Sequence, residues 1–239
     1  PYWQSERGDY YQECLDKLSV QGLVYPCFCS RAELHAANAP HASDGDYIYQ
    51  GTCRALTAAE IMEKSRSRAP AMRLRVSGTV GFNDLHYGWY KQDLERDCGD
   101  FLLRRSDGVF AYQLAVVADD GAMGVTQVVR GRDLLSSTPR QLYLYKLLGL
   151  PTPEFAHIPM LLSVDGRRLS KRDGDMGLEK LRERFLPEEI VGSLGYLAGL
   201  LDRPEAVRPH ELVPAFSWEK VPMEDIYLPS DLFDRSSRS

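Results

Sequence analysis

The stretch F-L-L-R-R-S-D-G-V-F-A-Y-Q-L-A-V-V-A-D-D, residues 101–120, is the most strongly patterned part of the 239-residue chain. Its apolar residues predict a strand over 101–105 and a second, largely apolar strand over 109–118. Asp107 and Gly108, which lie between them, are typical turn residues. The sequence therefore predicts two strands joined by a turn in the middle of the fold.

Tyr112 and Gln113 stand side by side in the second of these predicted strands. Because side chains alternate between the two faces of a strand, one of them is expected to face the core and the other a cavity. A core tyrosine with a satisfied hydroxyl is the alternative.

Strands and helices alternate after this stretch. Strands are predicted over 123–129 and 157–162, and a helix is predicted from Thr138 to Leu148, with Gly149 ending it. This order is typical of an α/β fold with a parallel sheet and crossover helices, in which ligands bind at the ends of the strands.

The flanking regions carry weaker signals. A Thr-x-x-Glu capping box at Thr57 predicts the start of a helix. The other predicted elements are helices over 5–18, 57–66 and 187–201 and strands over 24–29 and 72–76. The buried face of the first helix is expected to contain Tyr10 or Tyr11, Cys14, Leu15 and Leu18, and one apolar face of the last helix is expected to contain Ile190, Leu194, Leu197 and Leu201.

The composition is that of an ordinary globular protein, with 44% hydrophobic residues, 26% charged residues and a formal net charge of -5. The sequence contains no apolar run near the roughly 20 residues of a membrane span. The five cysteines, an odd number, fit a reducing compartment better than a disulfide framework. We therefore expect a cytoplasmic protein with no membrane contact, whose contact with nucleic acid would come from a local basic surface.

One such basic surface is predicted in the first third of the chain. It could contact the stem of a nucleic acid, and a solvated basic face is the alternative. Its residues are Arg31, Arg54, Lys64, Arg66, Arg68 and Arg73.

The segment V-D-G-R-R-L-S-K-R-D-G-D-M-G-L, residues 164–178, concentrates positive charge on a glycine-flanked loop. Lys171 and three arginines accompany the hydroxyl of Ser170. Such a loop attracts phosphate, and a lysine acts there as a mobile point charge. A solvated basic hairpin is the alternative.

Cys27, Cys29 and Cys53 predict a structural zinc site. A Cys-x-Cys pair cannot easily close on itself as a disulfide, but it can chelate Zn²⁺ together with a third cysteine. Three buried, inert cysteines are the alternative. The candidates for a fourth ligand are His35, His41, Tyr47, Tyr49 and water.

Arg130 follows a predicted strand directly, in V-V-R-G-R-D-L-L at 128–135. Its guanidinium could bind a carboxylate or a phosphate through two hydrogen bonds. A surface salt bridge with Asp133 is the alternative.

Four segments together resemble the glutamyl branch of the class I aminoacyl-tRNA synthetases. The resemblance runs through almost the whole chain and implies a Rossmann-like α/β catalytic domain with a zinc-containing insertion, followed by a small helical stem-contact region. The segments are D-F-L-L-R-R-S-D-G-V-F-A-Y-Q-L-A-V-V-A-D-D at 100–120, V-V-R-G-R-D-L-L at 128–135, S-T-P-R-Q at 137–141 and R-L-S-K-R-D-G at 168–174.

The same resemblance implies roles for individual residues. Leu169, Ser170 and Lys171 are similar to the Lys-Met-Ser-Lys-Ser signature, which binds ATP, and Lys171 is the implied catalytic residue. Tyr112 and Arg130 match family positions that hold glutamate.

Two features resemble the shortened, tRNA-modifying members of this branch. Because 68 residues of the sequence follow Lys171, we expect no large helical anticodon-binding domain of the kind found in a glutamyl-tRNA synthetase. The order Cys27, Cys29, Tyr49, Cys53 is similar to their zinc pattern, in which a tyrosine is a ligand.

This second resemblance implies that ATP with Mg²⁺ activates L-glutamate, which then passes to the queuosine base at the wobble position of tRNA(Asp). Two alternatives remain. One is a truncated glutamyl-tRNA synthetase that charges the tRNA 3′ end, and the other is a non-catalytic tRNA-binding derivative of the fold.

The beginning of the chain departs from the family pattern. The family starts with a strand, a glycine-containing loop and a His-x-Gly-His-like motif that holds ATP, and Pro1 aligns inside the first catalytic half. We expect roughly 60 residues of a Rossmann half to be missing, and we expect the chain as it stands not to activate glutamate.

We expect a monomer with four regions. Residues 1–20 are the remainder of the first catalytic half, and 21–100 form a zinc-bearing insertion or acceptor-type subdomain. Residues 101–165 form the second catalytic half, and 166–239 form the Lys171 loop and the helical stem-contact region.

Overall fold

The computed structural model describes residues 2–30, 32–33, 48–167, 169, 177–229 and 232–233. The helices are α1 (Gly8–Val20), α2 (Ala58–Ser65), α3 (Leu94–Asp97), α4 (Tyr112–Met123), α5 (Thr138–Leu148), α6 (Leu178–Arg184), α7 (Pro187–Leu197) and α8 (Pro209–Leu212). The strands are β1 (Val24–Cys27), β2 (Ala71–Leu74), β3 (Thr79–Asp84), β4 (Gly88–Asp93), β5 (Leu102–Arg104), β6 (Gln127–Gly131), β7 (Glu154–Ile158), β8 (Leu161–Leu162) and β9 (Ile226–Tyr227). Short 3-10 helices lie at Gln4–Glu6, Arg132–Ser137 and Val213–Ala215.

The chain divides into two units. The first consists of Pro1–Asn83, Trp89–Val128 and Leu134–Phe155. The second consists of Asp84–Gly88, Val129–Asp133 and Ala156–Ser239. Each unit has its own hydrophobic core.

The first unit is built around the antiparallel order β1-β2-β5. In the β1–β2 register Val24 is opposite Leu74 and Cys27 is opposite Ala71. Helix α1 buries Tyr11, Cys14, Leu15 and Leu18, the face that the helical period predicted. The fully buried leucines of the core are Leu18, Leu74, Leu94, Leu103, Leu114 and Leu144.

The second unit has a separate core beside a short parallel pair of strands. Strands β8 and β9 pair in parallel, with Leu161 opposite Ile226. This core contains Leu181 of α6, Ile190 of α7, and Phe185, which lies between the two helices.

The strand predicted over 109–118 is wrong, because Tyr112–Met123 form helix α4. Its buried residues include Leu114, Ala115, Val117 and Ala118, which share one face of a helix because they lie three and four positions apart. A short apolar run does not distinguish a buried strand from a buried helix, and here the helix continues to Gly124, whose φ of 67° ends it.

Other boundaries also shift. Strand β6 starts four residues after its prediction, and the strand predicted over 157–162 is two strands, β7 and β8. The helix predicted to reach Leu201 ends at Leu197, and Leu194 is 43% exposed rather than buried.

The alternation of strands and helices is confirmed, because β5, α4, β6, α5 and β7 follow one another. The parallel sheet is wrong for β5, which pairs antiparallel with β2. Element order alone does not fix pairing partners. Within the described residues, every helix is too short or too polar to cross a membrane.

Candidate functional site

The three predicted cysteine ligands come together in the first unit. Strand β1 ends at Cys27, Cys29 follows two residues later, and Cys53 lies in the turn after Gly51. Their sulfur atoms lie within 4.8 Å of one another, and Sγ of Cys29 is 3.6 Å from Sγ of Cys53.

Tyr49 is the fourth member of this cluster. Its Oη lies 3.4 Å from Sγ of Cys27 and 3.6 Å from Sγ of Cys29, and it accepts a hydrogen bond of 2.8 Å from the backbone N–H of Cys53. Gly99 fixes the backbone of Tyr49, because a Cβ on Gly99 would lie 2.6 Å from the Tyr49 carbonyl oxygen. The other protein candidates for the fourth ligand, His35, His41 and Tyr47, lie outside the described residues.

These distances fit a tetrahedral metal ion. With Zn–S bonds of about 2.3 Å, the sulfurs of a tetrahedral site are roughly 3.7 Å apart. Burial raises the pKa of the Cys29 thiol to about 11, and burial together with hydrogen bonds to the cysteines raises the pKa of Tyr49. Because metal ligands bind deprotonated, the pKa of Cys29 means that metal binding releases protons.

Asp100 organises the protein around this cluster. It is 1% exposed and accepts hydrogen bonds from Tyr25 (2.5 Å) and from two nitrogens of Arg54 (2.8 and 2.6 Å). Its backbone carbonyl accepts from Arg73, whose guanidinium lies 3.9 Å from the ring centre of Tyr49.

The predicted basic surface is corrected at two positions. Arg73 is 7% exposed and donates to the backbone carbonyl of Asp100, and Arg54, whose side chain is 34% exposed, is paired with the Asp100 carboxylate. Lys64, Arg66 and Arg68 are exposed on and after α2. Arg31 lies outside the described residues.

Arg130 lies in β6 within the second unit. Its Nε donates a hydrogen bond of 3.0 Å to Nε2 of His157, a residue of β7 that is completely buried. A guanidinium is only a donor, so Nε2 accepts and Nδ1 of His157 carries the hydrogen. That Nδ1 lies 2.6 Å from Oδ2 of Asp84.

Asp84 ends β3 and is 1% exposed. Its Oδ1 accepts from the backbone N–H groups of His86, Tyr87 and His157 at 3.0, 2.9 and 3.2 Å. Burial alone would raise the pKa of Asp84, but the hydrogen bonds from His157, Tyr87 and His86 outweigh it and leave the pKa below its ordinary value. Asp84 is therefore a carboxylate held by several donors.

Tyr112 is the first residue of α4 in the first unit and is 50% exposed. The expectation that it lies on a strand beside Gln113 is corrected by the helix. Gln113 donates to Ser137 (3.2 Å) and accepts from Gln141 (2.9 Å), which connects the first turn of α4 to the start of α5.

The loop expected to bind ATP is described only at its edges. Ser163 accepts from Gly166 in a turn at Asp165–Gly166, and Arg167 donates to Asp165 at 2.5 Å. Leu169 is half-buried against the core of the second unit. Ser170 and Lys171 lie outside the described residues.

Sequence reasoning missed Asp84, Asp100 and His157. Each is a buried polar residue with a side-chain partner at least 46 residues away in the sequence. The available signal was a charged or polar residue in an apolar strand, as in F-A-H-I-P-M at 155–160.

The family described as tRNA synthetases class I (E and Q), catalytic domain, matches residues 1–206, and the chain belongs to this family. The resemblance stated from the sequence is thereby confirmed.

Relatives within this family are more specific. A protein named Glutamyl-Q tRNA(Asp) synthetase from Symbiobacterium thermophilum is 47% identical over 97% of this chain and 73% of its own length. Its namesake from Nitratidesulfovibrio vulgaris is 48% identical over 98% of this chain and 74% of its own length.

A solved structure supports the fold. It is a glutamate tRNA ligase from Elizabethkingia meningosepticum in complex with its amino acid, 25% identical, with a TM-score of 0.76. The likeness covers 98% of this chain but only 53% of that one, so the chain spans about half the length of the ligase.

Proposed function

We propose that the protein activates L-glutamate with ATP and Mg²⁺ and transfers the glutamyl group to the queuosine base of tRNA(Asp). The observation that carries the proposal is the relationship to two proteins named Glutamyl-Q tRNA(Asp) synthetase at 47 and 48% identity. The grouping of Tyr49 with three cysteines adds support, because a tyrosine ligand is a feature of the shortened members of the family.

Two residues are assigned to glutamate. Arg130, in the second unit, is assigned to a glutamate carboxylate. Tyr112, which is half-exposed at the start of α4 in the first unit, is assigned to glutamate on the resemblance. Neither residue acts as a covalent nucleophile, so their contribution is orientation and charge.

Leu169, Ser170 and Lys171 are assigned to ATP. The Lys171 ammonium stabilises the negative charge that develops on the phosphates as pyrophosphate leaves. Arg167 is paired with Asp165 in the preceding turn, so it helps to shape that turn.

Cys27, Cys29, Tyr49 and Cys53 are assigned to a structural zinc ion. A bound ion would hold the end of β1 to the turn that contains Cys53. The four side chains supply the complete tetrahedral set, and the site is a fold restraint rather than a source of activated water.

The regions take the roles that the resemblance implies. Residues 21–100 act as the zinc-bearing insertion, 101–165 as the second catalytic half, and 166–239 as the loop and stem-contact region, after the remainder of the first half in 1–20. We propose that the protein acts as a cytoplasmic monomer.

A transfer assay tests the function. The intact protein is incubated with ATP and radiolabelled glutamate, together with tRNA(Asp) that carries queuosine, tRNA(Asp) that lacks it, or tRNA(Glu). Label is expected only on the queuosine-bearing tRNA(Asp), and also when its 3′-terminal adenosine has been removed. Label on the 3′ end of tRNA(Glu) would instead identify a glutamyl-tRNA synthetase.

Substitution of Lys171 separates an enzyme from a tRNA-binding derivative. In the intact protein, Lys171→Ala is expected to lower the rate of glutamyl-adenylate formation by about 100-fold or more with normal folding. Arg182→Ala, a change in an exposed basic residue of α6, is the matched control. Binding of tRNA without adenylate formation by the unchanged protein would support the derivative.

A further inference from the structure

A continuous line of hydrogen bonds in the second unit connects Arg130 to a buried carboxylate. Nε of Arg130 donates to Nε2 of His157 at 3.0 Å, and Nδ1 of His157 donates to Oδ2 of Asp84 at 2.6 Å. We propose that His157 and Asp84 are positioning residues that orient Arg130 for the carboxylate of glutamate. This inference rests on the proposed function of Arg130.

The far end of the line is rigid. Asp84 accepts three backbone N–H groups in addition to the imidazole, and His157 and Asp84 are 0% and 1% exposed. Water cannot compete for these contacts, so the ring of His157 has one tautomer and one orientation.

The hydrogen bond between Arg130 and His157 fixes the orientation of the flexible Arg130 side chain. An arginine loses rotamer freedom when it binds a ligand, and a hydrogen bond at Nε sets the plane of the guanidinium before the ligand arrives. His157 does this as a neutral ring, so this link orients Arg130 without placing a counter-charge on its Nε.

If the His157–Asp84 pair only stabilises the fold, its loss should not affect glutamate selectively. Two variants of His157 distinguish this structural role from the positioning of Arg130. In His157→Asn the side-chain N–H can replace Nδ1 and still donate to Asp84, but the acceptor for Arg130 is lost. In His157→Gln the side-chain oxygen can replace Nε2 and accept from Arg130, but the donor to Asp84 is lost.

The experiment measures glutamate-dependent pyrophosphate exchange by the intact protein. His157→Asn is expected to raise KM for glutamate roughly tenfold, with KM for ATP unchanged and the unfolding midpoint close to that of the parent. His157→Gln is expected to raise KM for glutamate less and to lower the unfolding midpoint more. The reverse ranking, or equal changes in both KM values, would overturn the proposal.

A double substitution shows whether His157 acts through Arg130. If it does, Arg130→Gln combined with His157→Asn has the same KM for glutamate as Arg130→Gln alone. Multiplied effects overturn the proposal.

The Arg130→Gln variant alone distinguishes failure of the proposed function of Arg130 from failure of the positioning role of His157. An unchanged KM for glutamate in Arg130→Gln removes the assignment of Arg130 to glutamate, and this inference with it. A raised KM in Arg130→Gln with an unchanged KM in His157→Asn removes only this inference.

Discussion

Asp100 in the first unit and Asp84 in the second are equally buried, 1% exposed each, but they hold their arginines differently. Asp100 accepts two hydrogen bonds directly from Arg54, at 2.8 and 2.6 Å. Asp84 is linked to Arg130 through the ring of His157. Arg54 and Asp100 are thus a direct arginine–carboxylate pair, whereas Arg130 and Asp84 are linked indirectly.

This difference in contact with a carboxylate suggests different roles for Arg54 and Arg130. The hydrogen bonds to Asp100 raise the pKa of Arg54, and Coulomb attraction to the same carboxylate adds to this, so the side chain is held as a cation paired within the fold. The link from Asp84 passes through a neutral ring and supplies direction without charge. We interpret the direct contact at Arg54 as serving the fold and, under the proposed function of Arg130, the indirect link as orienting that side chain for glutamate.

The largest effect is expected from breaking the direct arrangement. Asp100→Ala removes the acceptor for Tyr25, Arg54 and the backbone N–H of Val76, and it leaves a partly buried guanidinium unpaired. The free energy of unfolding, measured by urea denaturation, should fall by about 3 kcal/mol. The loss is at the low end for a broken buried ion pair because Arg54 remains partly hydrated. A loss below about 1 kcal/mol would show that Asp100 is not the organising residue of this region.

The next largest effect is expected when the same change, arginine to glutamine, is made at each of the two positions. Arg130→Gln should raise KM for glutamate about 10- to 100-fold, because a charged hydrogen bond to a carboxylate is lost. Arg54→Gln should leave this KM unchanged and lower stability instead. Steady-state exchange kinetics and thermal unfolding of both variants provide the test, and similar kinetic profiles would remove the distinction between them.

A smaller effect is expected at the cysteine cluster beside Arg54. The pKa of Cys29 is raised from 9.0 to about 11 in the metal-free fold, so the folded state holds this proton more tightly than the unfolded state. Stability from this source is present below pH 9 and is lost as the pH rises towards 11. After chelation of zinc, Tm should therefore decline by about 2–4 °C across this window.

Zinc reverses the direction of this pH dependence. The bound ligands are already deprotonated, so the zinc-loaded protein should lose stability at low pH, where protons compete with the metal. Identical Tm profiles with and without chelator would contradict metal binding by this cluster.

The smallest effect is expected from an arginine–carboxylate pair in which both side chains are exposed. Arg66 contacts Glu63 at 2.8 Å, and both side chains are more than 70% exposed. Arg66→Gln should change the free energy of unfolding by less than about 0.5 kcal/mol in the same urea assay. If Arg66→Gln lowered the free energy of unfolding as much as Arg54→Gln does, burial of the carboxylate would not explain why Arg54 matters for stability.

The sequence was most informative where the signal was local. The capping box at Thr57 and the buried face of α1 were predicted correctly, because both depend on residues within a few positions. The grouping of the cysteines also followed from spacing, since two cysteines separated by one residue can bind the same metal ion.

The sequence was least informative where packing decides. The apolar run from Leu114 to Ala118 suits either a strand or a helix, and only burial on one side settles it as α4. Asp84 and His157 are 73 residues apart, and no local pattern predicts their hydrogen bond.

A crystal structure of the intact protein with bound glutamate tests the central claim most directly. The account predicts that the Arg130 guanidinium lies within hydrogen-bond distance of a glutamate carboxylate while its Nε still donates to His157. Glutamate bound elsewhere, or an Arg130 that leaves His157 in order to reach it, would contradict the account.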